Sequence, residues 1–256
     1  MSYFETGTYR LQSANTSWDY ETDGNRMRFE VRSGDHWQND RSGVERSEIA
    51  SYKKLAIGQT YTISYKFMVE PGQPNTADWL VLGQLHSTED SYDSGVSPPS
   101  GINLIGERME IHVRWSTPAQ TNWDNVKTRS LYTDTHDIQR GHWYDIKMTV
   151  KFDPFGNGIL DVWRDGVQLV NYRGPLGYND QIGPYWKHGV YREASPESMA
   201  VNYSDFSLVE GAATDRPPTD PAPGGTVNGT TGDDVLHGTG VQDSIHGGDG
   251  SDHLYG

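Results

Sequence analysis

The chain has 256 residues, no cysteine and a formal net charge of −14. Its length suits one sandwich or barrel with a smaller appended part. The lack of cysteine excludes disulfides, a thiol nucleophile and a cysteine-ligated zinc site. No apolar run is long enough to cross a membrane, and the acidic total argues against a nucleic-acid-binding protein.

The first residues, MSYFETGTYR, lack the basic and apolar regions of a secretory signal. This leaves a cytosolic protein, export by a route without an N-terminal signal, or a leader that has been removed. The charge is unevenly distributed, because residues 211–256 contain seven Asp and one Arg, whereas residues 1–210 contain twenty of the twenty-one Lys and Arg. A local basic cleft in residues 1–210 is therefore possible.

Residues 1–210 show the alternation of apolar and polar residues that is typical of β-strands. The alternating segments are, in chain order, VERSEIA (44–50), YTISYKFMV (61–69), LGQLHST (82–88), RMEIHVRW (108–115) and YDIKMTVKF (144–152). In GILDVWRDGVQLVNY, the pair Asp165–Gly166 predicts the turn of a hairpin. No apolar spacing supports a helix longer than about two turns. The sequence predicts an all-β domain, a sandwich or jelly roll.

Several of these strands carry polar residues on one face. Arg46 and Glu48 share a face, so that the carboxylate can hold the guanidinium in place. Gln84 and His86 share a face of a later strand, and the polar loop GDHWQND places His36 just before the arginine strand. Each of these residues taken alone is more typical of a structural role than of a site.

The segment PYWKHGVYR (184–192) has an unusual polar face. If it is a strand, Tyr185, Lys187 and Tyr191 lie on one side of it, with Gly189 as a gap. Its other face would carry Trp186, His188 and Val190. A lysine supplies a point charge for a carboxylate, and a phenol can give or take a proton if a nearby cation lowers its pKa. Together with the other polar strands, this face indicates a site for an anionic substrate that loses a proton.

A linker and a repeat follow the β-rich part. The segment ATDRPPTDPAPGGT (213–226) is rich in Pro, Gly and Asp and predicts an extended connection. We therefore expect a domain over residues 1–210, a linker over 211–226 and a separate segment over 227–256.

The last segment has a period of nine residues. The rows GTTGDDVLH, GTGVQDSIH and GGDGSDHLY cover residues 229–255 and align Leu236, Ile245 and Leu254. They also align three acidic residues, Asp234, Asp243 and Asp252. The rows resemble the repeat of RTX proteins, which implies a short parallel β-roll, truncated here, with calcium bound by these aspartates. The alternative is a disordered acidic tail.

At larger scale, residues 3–210 resemble the jelly-roll polysaccharide lyases of the heparin lyase I and glucuronan lyase group. The resemblance is carried by RSE (46–48), QLH (84–86), GHWYDIKMTVKFDPFGNGILDVWRDGVQLVNYRGPLGY (141–178) and YWKHGVYR (185–192). It implies a concanavalin-like sandwich. Alginate lyases share a looser version and usually continue with Asn-Gln after the last tyrosine. Here Arg192 and Glu193 follow, which favours a glucuronate-containing polymer over alginate.

The resemblance implies β-elimination at a uronate residue. Gln84, Arg46 or a histidine would neutralise the substrate carboxylate, so that the C-5 proton can leave. Tyr191 would remove that proton, donate one to the leaving oxygen, or do both. A histidine base, His36 or His86, would work opposite Tyr191 on guluronate or iduronate.

Further residues are implied as parts of the site. Lys187 would lower the pKa of Tyr191 or bind a carboxylate. The candidates for substrate binding are Tyr185, Glu48, Arg192, His112, Arg114 and Lys147.

A structural calcium ion inside the jelly roll is also implied by the resemblance. Asn179 and Asp180, in GYND, match a ligand pair of the heparin lyases, and Glu89 is a plausible third ligand. Hard oxygen ligands from loops suit calcium, although Asn-Asp is equally compatible with a simple turn. The elimination step itself would not require the metal.

Two other functions compete with this interpretation. A jelly-roll glycoside hydrolase needs two carboxylates flanking the bond, and the Glu-x-Asp-x-x-Glu strand of the laminarinase-like family does not occur here. A non-catalytic, lectin-like carbohydrate-binding module would not need a phenol beside glutamine and histidine.

We expect a monomeric, calcium-binding enzyme that acts on an anionic polysaccharide without nucleic acid or membrane. We also expect it to be secreted by a one-step route that needs no N-terminal signal.

Overall fold

The computed structural model describes residues 8–211, 226–228, 231–232, 235–237 and 244–255. The chain divides into two compact units, Met1–Ala212 and Ala213–Gly256. Within the described ranges no helix is long and apolar enough to cross a membrane. The strands of the first unit are β1 (Tyr9–Ser13), β2 (Tyr20–Asp23), β3 (Arg26–Val31), β4 (Val44–Lys54), β5 (Thr60–Val69), β6 (Leu80–His86), β7 (Ser100–Ile105), β8 (Arg108–Ser116), β9 (Lys127–Thr133), β10 (Tyr144–Lys151), β11 (Asp153–Arg164), β12 (Val167–Tyr178), β13 (Tyr185–Glu193) and β14 (Met199–Glu210).

These fourteen strands form the all-β jelly roll that the sequence predicts. One layer has the order β1-β4-β13-β6-β7-β8, with β9 beside β8, and the other has the order β12-β11-β10-β5-β14-β3-β2. A two-residue parallel contact between β8 and β12 joins them. The layers also meet through Tyr203 of β14, whose hydroxyl lies 2.7 Å from the carbonyl of Leu82 on β6.

The predicted alternation sets which faces of the strands are buried. On β10, Ile146 and Val150 are fully buried. On β8, the buried face is formed by Met109, Ile111 and Val113. All five belong to one apolar core between the layers. Because neighbouring residues of a strand point to opposite sides, the other face of β8 is left polar.

The hairpin between β11 and β12 has the predicted turn. Asp165 and Gly166 have φ angles of 52° and 80°, and both belong to the left-handed region. A two-residue turn with positive φ at both positions matches the right-handed twist of the flanking strands.

Strand β13 has the two faces predicted for it. Trp186, His188 and Val190 are at most 1% exposed and lie in the interior. Gly189 has a φ of 144°, and a Cβ atom at this position would collide with the carbonyl oxygen of Ser47 on β4. Glycine therefore allows β13 to lie close to β4 at this point.

The second unit contains four short strands, β15 (Thr226–Asn228), β16 (Val235–His237), β17 (Ser244–His246) and β18 (His253–Tyr255). β15 pairs in parallel with β17, and β16 pairs in parallel with β18. Each pair joins positions two nine-residue rows apart, as in Leu236 with Leu254. Of the predicted calcium ligands, Asp234 and Asp243 lie outside the described residues, as does nearly all of the predicted linker.

Candidate active site

A cleft of about 560 Å³ lies on the polar face of the layer that contains β4, β13, β6, β7 and β8. It brings together six of the predicted site residues: Arg46, Gln84, His86, His112, Arg114 and Tyr191. These residues come from four strands, and the sheet, rather than the chain order, places them side by side.

The strand register explains this convergence. Gln84 on β6 pairs with Lys187 on β13 and, on its other side, with Gly101 on β7. Gly101 in turn pairs with His112 on β8. Since Gly101 has no side chain, a depression remains between Gln84 and His112. At the other side of the cleft, Tyr191 pairs with Arg46.

Beneath the cleft lies a group of buried charges. The carboxylate of Glu48 lies 2.6 Å from Nζ of Lys187 and 2.7 Å from Nη1 of Arg46. The side-chain amide of Gln84 donates a hydrogen bond to the same carboxylate. Burial alone would raise the pKa of Glu48, but Lys187 and Arg46 outweigh it and hold this pKa below its usual value. Glu48 is completely buried and, unlike Gln84, does not line the cleft, so it positions these groups and does not bind substrate as predicted.

Asp40 completes this group, although no sequence pattern had pointed to it. Its two carboxylate oxygens accept from Nε and Nη2 of Arg46 at 2.7 and 2.8 Å. Two cations, Arg46 and Lys187, are thus balanced by two carboxylates, Asp40 and Glu48. We refer to these four residues as the cleft floor. Because its charges are balanced, the floor holds its donors in fixed positions without excess charge.

Tyr191 lies against the floor with its ring packed on Arg46. The guanidinium carbon of Arg46 is 3.7 Å from the ring centroid, and the ring of Trp79 meets Tyr191 edge-on at 4.9 Å. Burial raises the pKa of the Tyr191 phenol, and Arg46 opposes this increase without cancelling it. The phenol is therefore protonated at neutral pH and available as a proton donor.

His86 is held in the neutral form. Its Nδ1 lies 2.8 Å from the carbonyl oxygen of Ser87, so Nδ1 carries the proton and donates it. Burial, reinforced by the charge of Lys187, lowers the pKa of His86 to about 4. The ring stacks on Tyr185, with the centroids 5.2 Å apart. Nε2 is then an unprotonated acceptor, as a general base requires.

The position of Lys187 corrects the role predicted for it. Lys187 is 2% exposed, does not line the cleft and pairs with Glu48, and burial lowers its pKa to about 8. It cannot reach a substrate carboxylate, and Arg46, not Lys187, is the cation that contacts Tyr191. Lys187 acts through Glu48.

Three other predicted residues lie elsewhere. Arg192 is completely buried and pairs with Glu45 and Glu197, so it stabilises the scaffold and does not bind substrate. Lys147 is on β10, in the other layer of the jelly roll. His36 is exposed in the loop before β4, with Nδ1 3.2 Å from the carbonyl of Val44, and does not line the cleft. Of the two proposed histidine bases, the cleft contains His86.

The cleft also contains residues that the sequence did not single out. Trp79, Trp123 and Arg41 line it, and Trp123 is 63% exposed. All three belong to connections between strands, where no periodicity marks a residue. Only the structure marks Trp123 as a binding candidate, through its exposure beside the cleft, because exposed aromatic rings are common at binding surfaces.

An acidic group occupies loops that are distinct from the cleft floor. Carboxylate oxygens of Asp90, Asp93 and Asp180 all lie within 4.8 Å of one another. We call these three residues the loop cluster. Oδ1 of Asp180 is buried and has no hydrogen-bond partner among the described residues. Burial, followed by the charges of Asp93, Asp90 and Glu89, raises the pKa of Asp180 to about 7.

The loop cluster contains part of the predicted calcium set. Asp180 belongs to it together with Asp90 and Asp93, which the sequence did not single out, and Glu89 is not one of its three carboxylates. The side-chain nitrogen of Asn179 donates to the carbonyl of Thr117. Clustered carboxylates with a buried, unpartnered oxygen fit a hard divalent cation such as calcium.

The cleft thus combines a protonated phenol, Tyr191, with an unprotonated imidazole, His86, on the polar face of one layer. The profile of the polysaccharide lyase family matches residues 2–207, and the chain belongs to this family. It is therefore an enzyme that cleaves polysaccharides as a lyase.

Solved structures with the same fold include lyases for two different polymers. An endo-β-1,4-glucuronan lyase from the fungus Trichoderma reesei superposes with a TM-score of 0.61 at 12% identity, covering 83% of this chain and 92% of that one. The family 7 alginate lyase A1-II′ superposes with a TM-score of 0.58 at 14% identity, covering 80% of this chain and 95% of that one. An alginate lyase from Pseudomonas aeruginosa superposes with a TM-score of 0.52 at 17% identity, covering 80% of this chain and 98% of that one. At these identities the likeness concerns the fold. Among curated protein sequences, none matches significantly.

Proposed function

We propose that this lyase cleaves a uronate-containing polysaccharide by β-elimination. In this reaction the C-5 proton leaves, a double bond forms between C-4 and C-5, and the bond from C-4 to the glycosidic oxygen breaks as that oxygen takes up a proton. One observation carries the proposal: the same cleft holds amide and guanidinium donors, a protonated phenol and an unprotonated imidazole. These are Gln84, Arg46, Tyr191 and His86.

Gln84 and Arg46 would bind the carboxylate of the sugar that is cleaved. The Gln84 amide donates one N–H to Glu48 and has a second N–H left for substrate. Arg46 binds Asp40 and Glu48 and retains one N–H at Nη2. As the C-5 proton leaves, negative charge moves onto the carboxylate, and fixed donors stabilise that charge without reorganising.

Tyr191 would protonate the leaving oxygen, since its phenol carries a proton at neutral pH. In glucuronate the C-5 proton and the leaving oxygen lie on the same side of the ring. Tyr191 could then serve both steps, and the guanidinium of Arg46 would stabilise the phenolate that the first step needs. In guluronate the two groups lie on opposite sides, and Nε2 of His86 would remove the proton while Tyr191 donates one.

We favour glucuronan or another glucuronate-containing polymer as the substrate. The support is Arg192–Glu193 after Tyr191, where alginate lyases usually have Asn-Gln, together with the likeness in fold to a glucuronan lyase. Alginate is the second candidate, and the free Nε2 of His86 favours it, because elimination across the ring of guluronate needs a base opposite the tyrosine.

Ultraviolet absorbance tests this proposal, because elimination creates an unsaturated uronate that absorbs and hydrolysis does not. The protein is incubated with glucuronan, alginate, heparin and hyaluronan in parallel. We expect absorbance to rise with glucuronan first. A rise only with alginate would select the second candidate. Binding without any absorbing product would contradict the lyase proposal and support a lectin-like module.

We also propose that the loop cluster binds calcium in a structural role. Asp90, Asp93 and Asp180 supply clustered hard oxygens, and the unpartnered Oδ1 of Asp180 would be a ligand. Glu89 and Asn179 lie beside the cluster in sequence and remain candidate ligands. Calcium takes six to eight oxygen ligands in flexible geometry, whereas magnesium demands a tighter octahedron, so calcium is the better fit to loop carboxylates.

Metal-free protein provides the test of the calcium proposal. Adding calcium should raise the melting temperature, and the same concentration of magnesium should raise it less. Asp180→Asn should remove the increase, whereas Asp145→Asn, at an exposed site on β10, should retain it. An equal response of both variants would contradict the loop cluster as the site.

For the second unit we propose a calcium-dependent β-roll that accompanies secretion. The parallel pairing of strands two rows apart supports a roll, and Asp252 is the one predicted repeat ligand within the described residues. In a cytosol with little calcium the aspartates would repel one another and keep the segment loose, and calcium outside the cell would neutralise them. If this is right, calcium should increase the β-structure of this segment, and the protein should be found in the culture medium.

A further inference from the structure

Arg114 on β8 has one side of its guanidinium fixed by the protein. Both hydrogens of Nη1 are engaged, one by the carbonyl oxygen of Pro98 at 2.8 Å and the other by Nε2 of His112 at 2.5 Å. The edge formed by Nε and Nη2 has no hydrogen-bond partner in the described part of the chain. That edge presents two parallel N–H groups, the geometry that binds a carboxylate with both oxygens.

Arg114 also lacks the carboxylate that other partly buried arginines have. Arg164 binds both oxygens of Asp134, and Arg140 binds both oxygens of Glu107. For Arg114, by contrast, no ion pair with a carboxylate occurs among the described residues, although it lines the cleft and is partly buried. A cation withdrawn from water without a partner is unfavourable, so this arrangement indicates an anionic ligand.

His112 holds Arg114 in this orientation. Nε2 of His112 accepts the hydrogen bond from Arg114, which leaves the single proton of the neutral ring on Nδ1. Burial, followed by the charge of Arg114, lowers the pKa of His112 to about 3. The imidazole is therefore neutral and can accept from the guanidinium across the usable pH range. His112 is a positioning residue.

Arg114 is separate from the place where the bond is broken. Leu85, Ser100 and Val113 form one paired row across β6, β7 and β8. His86 follows Leu85 on β6, and Arg114 follows Val113 on β8, so the two residues lie at the same level of the sheet. Two strand spacings, about 9.5 Å, thus separate the backbones of His86 and Arg114. Trp123 also lines the cleft, in the connection that follows β8.

We propose that Arg114, positioned by His112, binds the carboxylate of a second uronate residue of the bound polymer, with the ring of Trp123 available to the sugar beside it. This inference rests on the proposed function and deepens it, because it makes two charged sugars, not one, the unit that the cleft recognises. A polymer in which uronates are neighbours then binds better than one whose uronates are widely spaced.

The test compares Arg114→Gln with Arg129→Gln, an exposed arginine on the neighbouring strand β9. With the polyuronate that the wild-type protein cleaves, we expect Arg114→Gln to raise KM about 10-fold to 100-fold, the loss expected for a charge-assisted hydrogen-bond pair. Its kcat should change by less than about 3-fold, since the reacting atoms are untouched. Arg129→Gln should leave both constants near wild type. A purely structural role would lower the melting temperature without this separation of KM from kcat.

Salt provides a second measurement. Wild-type KM should rise with ionic strength, and Arg114→Gln should weaken that dependence because a screened ion pair has been removed. If Arg114→Gln does not fold, Arg114→Lys replaces it: the charge remains but the two-pronged edge is lost, and KM should rise about 10-fold.

An unchanged KM in the folded variant, with an unchanged response to salt, overturns the inference while leaving the lyase proposal intact. Failure of the lyase proposal looks different, because the wild-type protein itself then gives no unsaturated product from any polyuronate.

Discussion

The cleft floor and the loop cluster are both groups of buried or half-buried charges, and they differ in balance. In the floor, Arg46 and Lys187 are paired with Asp40 and Glu48 at 2.6–2.8 Å. In the loop cluster, three carboxylates lie within 4.8 Å of one another. None of the three forms an ion pair with a Lys or Arg in the part of the chain that the structure describes.

This difference shows how each group meets the cost of removing charge from water. The floor satisfies that cost internally, so its donors are rigid before substrate arrives, which is what electrostatic catalysis needs. The loop cluster meets it only partly, because the raised pKa lets Asp180 hold a proton, which the proposed calcium ion would displace. A balanced group is therefore fixed, whereas we expect an unbalanced group to respond to pH and to a bound cation.

The largest effect should come from replacing Tyr191, whose ring packs on Arg46 of the cleft floor. Tyr191→Phe removes only the phenolic oxygen, and we expect kcat to fall about 10²-fold to 10⁴-fold, the usual contribution of a positioned proton donor. Polymer binding should stay nearly unchanged, because Arg46 and Gln84 remain. Steady-state absorbance assays and calorimetric titration measure the two quantities, with Tyr52→Phe at an exposed site of β4 as the control. Activity like that of the wild type would remove Tyr191 from the mechanism.

Breaking the balance of the floor should be the next largest effect. Lys187→Met leaves the buried Glu48 with one cation instead of two, and we expect unfolding free energy to fall by about 3–5 kcal/mol. Glu48→Gln added to Lys187→Met should restore part of the loss, because it removes the unpaired charge. Denaturant unfolding measures both, with Lys151→Met on β10 as the control. A decrease below about 1 kcal/mol would show that the floor does not depend on this balance.

The loop cluster should respond to calcium and pH together. Calcium at about one hundred times its dissociation constant adds about 2.7 kcal/mol of stability if it binds only the folded state. Because the pKa of Asp180 is raised to about 7, the folded protein holds a proton there that calcium must displace, so affinity should fall as pH decreases below 7. The stability of the metal-free protein should change in the opposite direction. Between the ordinary pKa of Asp and about 7 the folded state binds more protons at Asp180 than the unfolded state does, so this residue favours folding more as pH decreases. Calcium titrations at several pH values check this, and a constant affinity would contradict it.

The site around the floor should be insensitive to mild acid. The pKa of His86 is lowered to about 4, so Nε2 stays unprotonated when pH decreases from neutral to about 5. We expect kcat/KM to remain within about 3-fold over that range if His86 is the base. The pH profile measures this directly. A loss of activity centred near the ordinary pKa of histidine would mean that an exposed histidine or another group limits the rate.

The sequence predicted the fold well because strand alternation is local. The same alternation that buried Trp186 and Val190 also places Arg192 on the inner face of β13. Arg192, a basic residue of this strand, was among the candidates for substrate binding, and the structure instead pairs it with Glu45 and Glu197. The pattern was more reliable than the residue type.

Which residues share the site was harder to predict. Lys147 alternates correctly on β10, but a local pattern does not reveal to which layer of a jelly roll a strand belongs. Asp40 lies in a loop, where no periodicity marks it, and its link to Arg46 exists only after folding. Strand alternation singled out Arg46, Gln84 and Tyr191, and the resemblance to a family supplied their individual roles.

The smallest effect should come from removing the second unit. The residues that line the cleft lie between Arg41 and Tyr191, and the floor and the loop cluster also belong to the unit Met1–Ala212. A protein ending after Ala212 therefore keeps every group that the proposed reaction uses. Its kcat/KM should stay within about 2-fold of the full chain, a change too small to reflect a lost transition-state contact. Calcium should still raise its melting temperature, because the loop cluster remains. If activity disappears while the shortened protein stays folded, the repeats must contribute to the active site, and the proposed role in secretion would not be their only function.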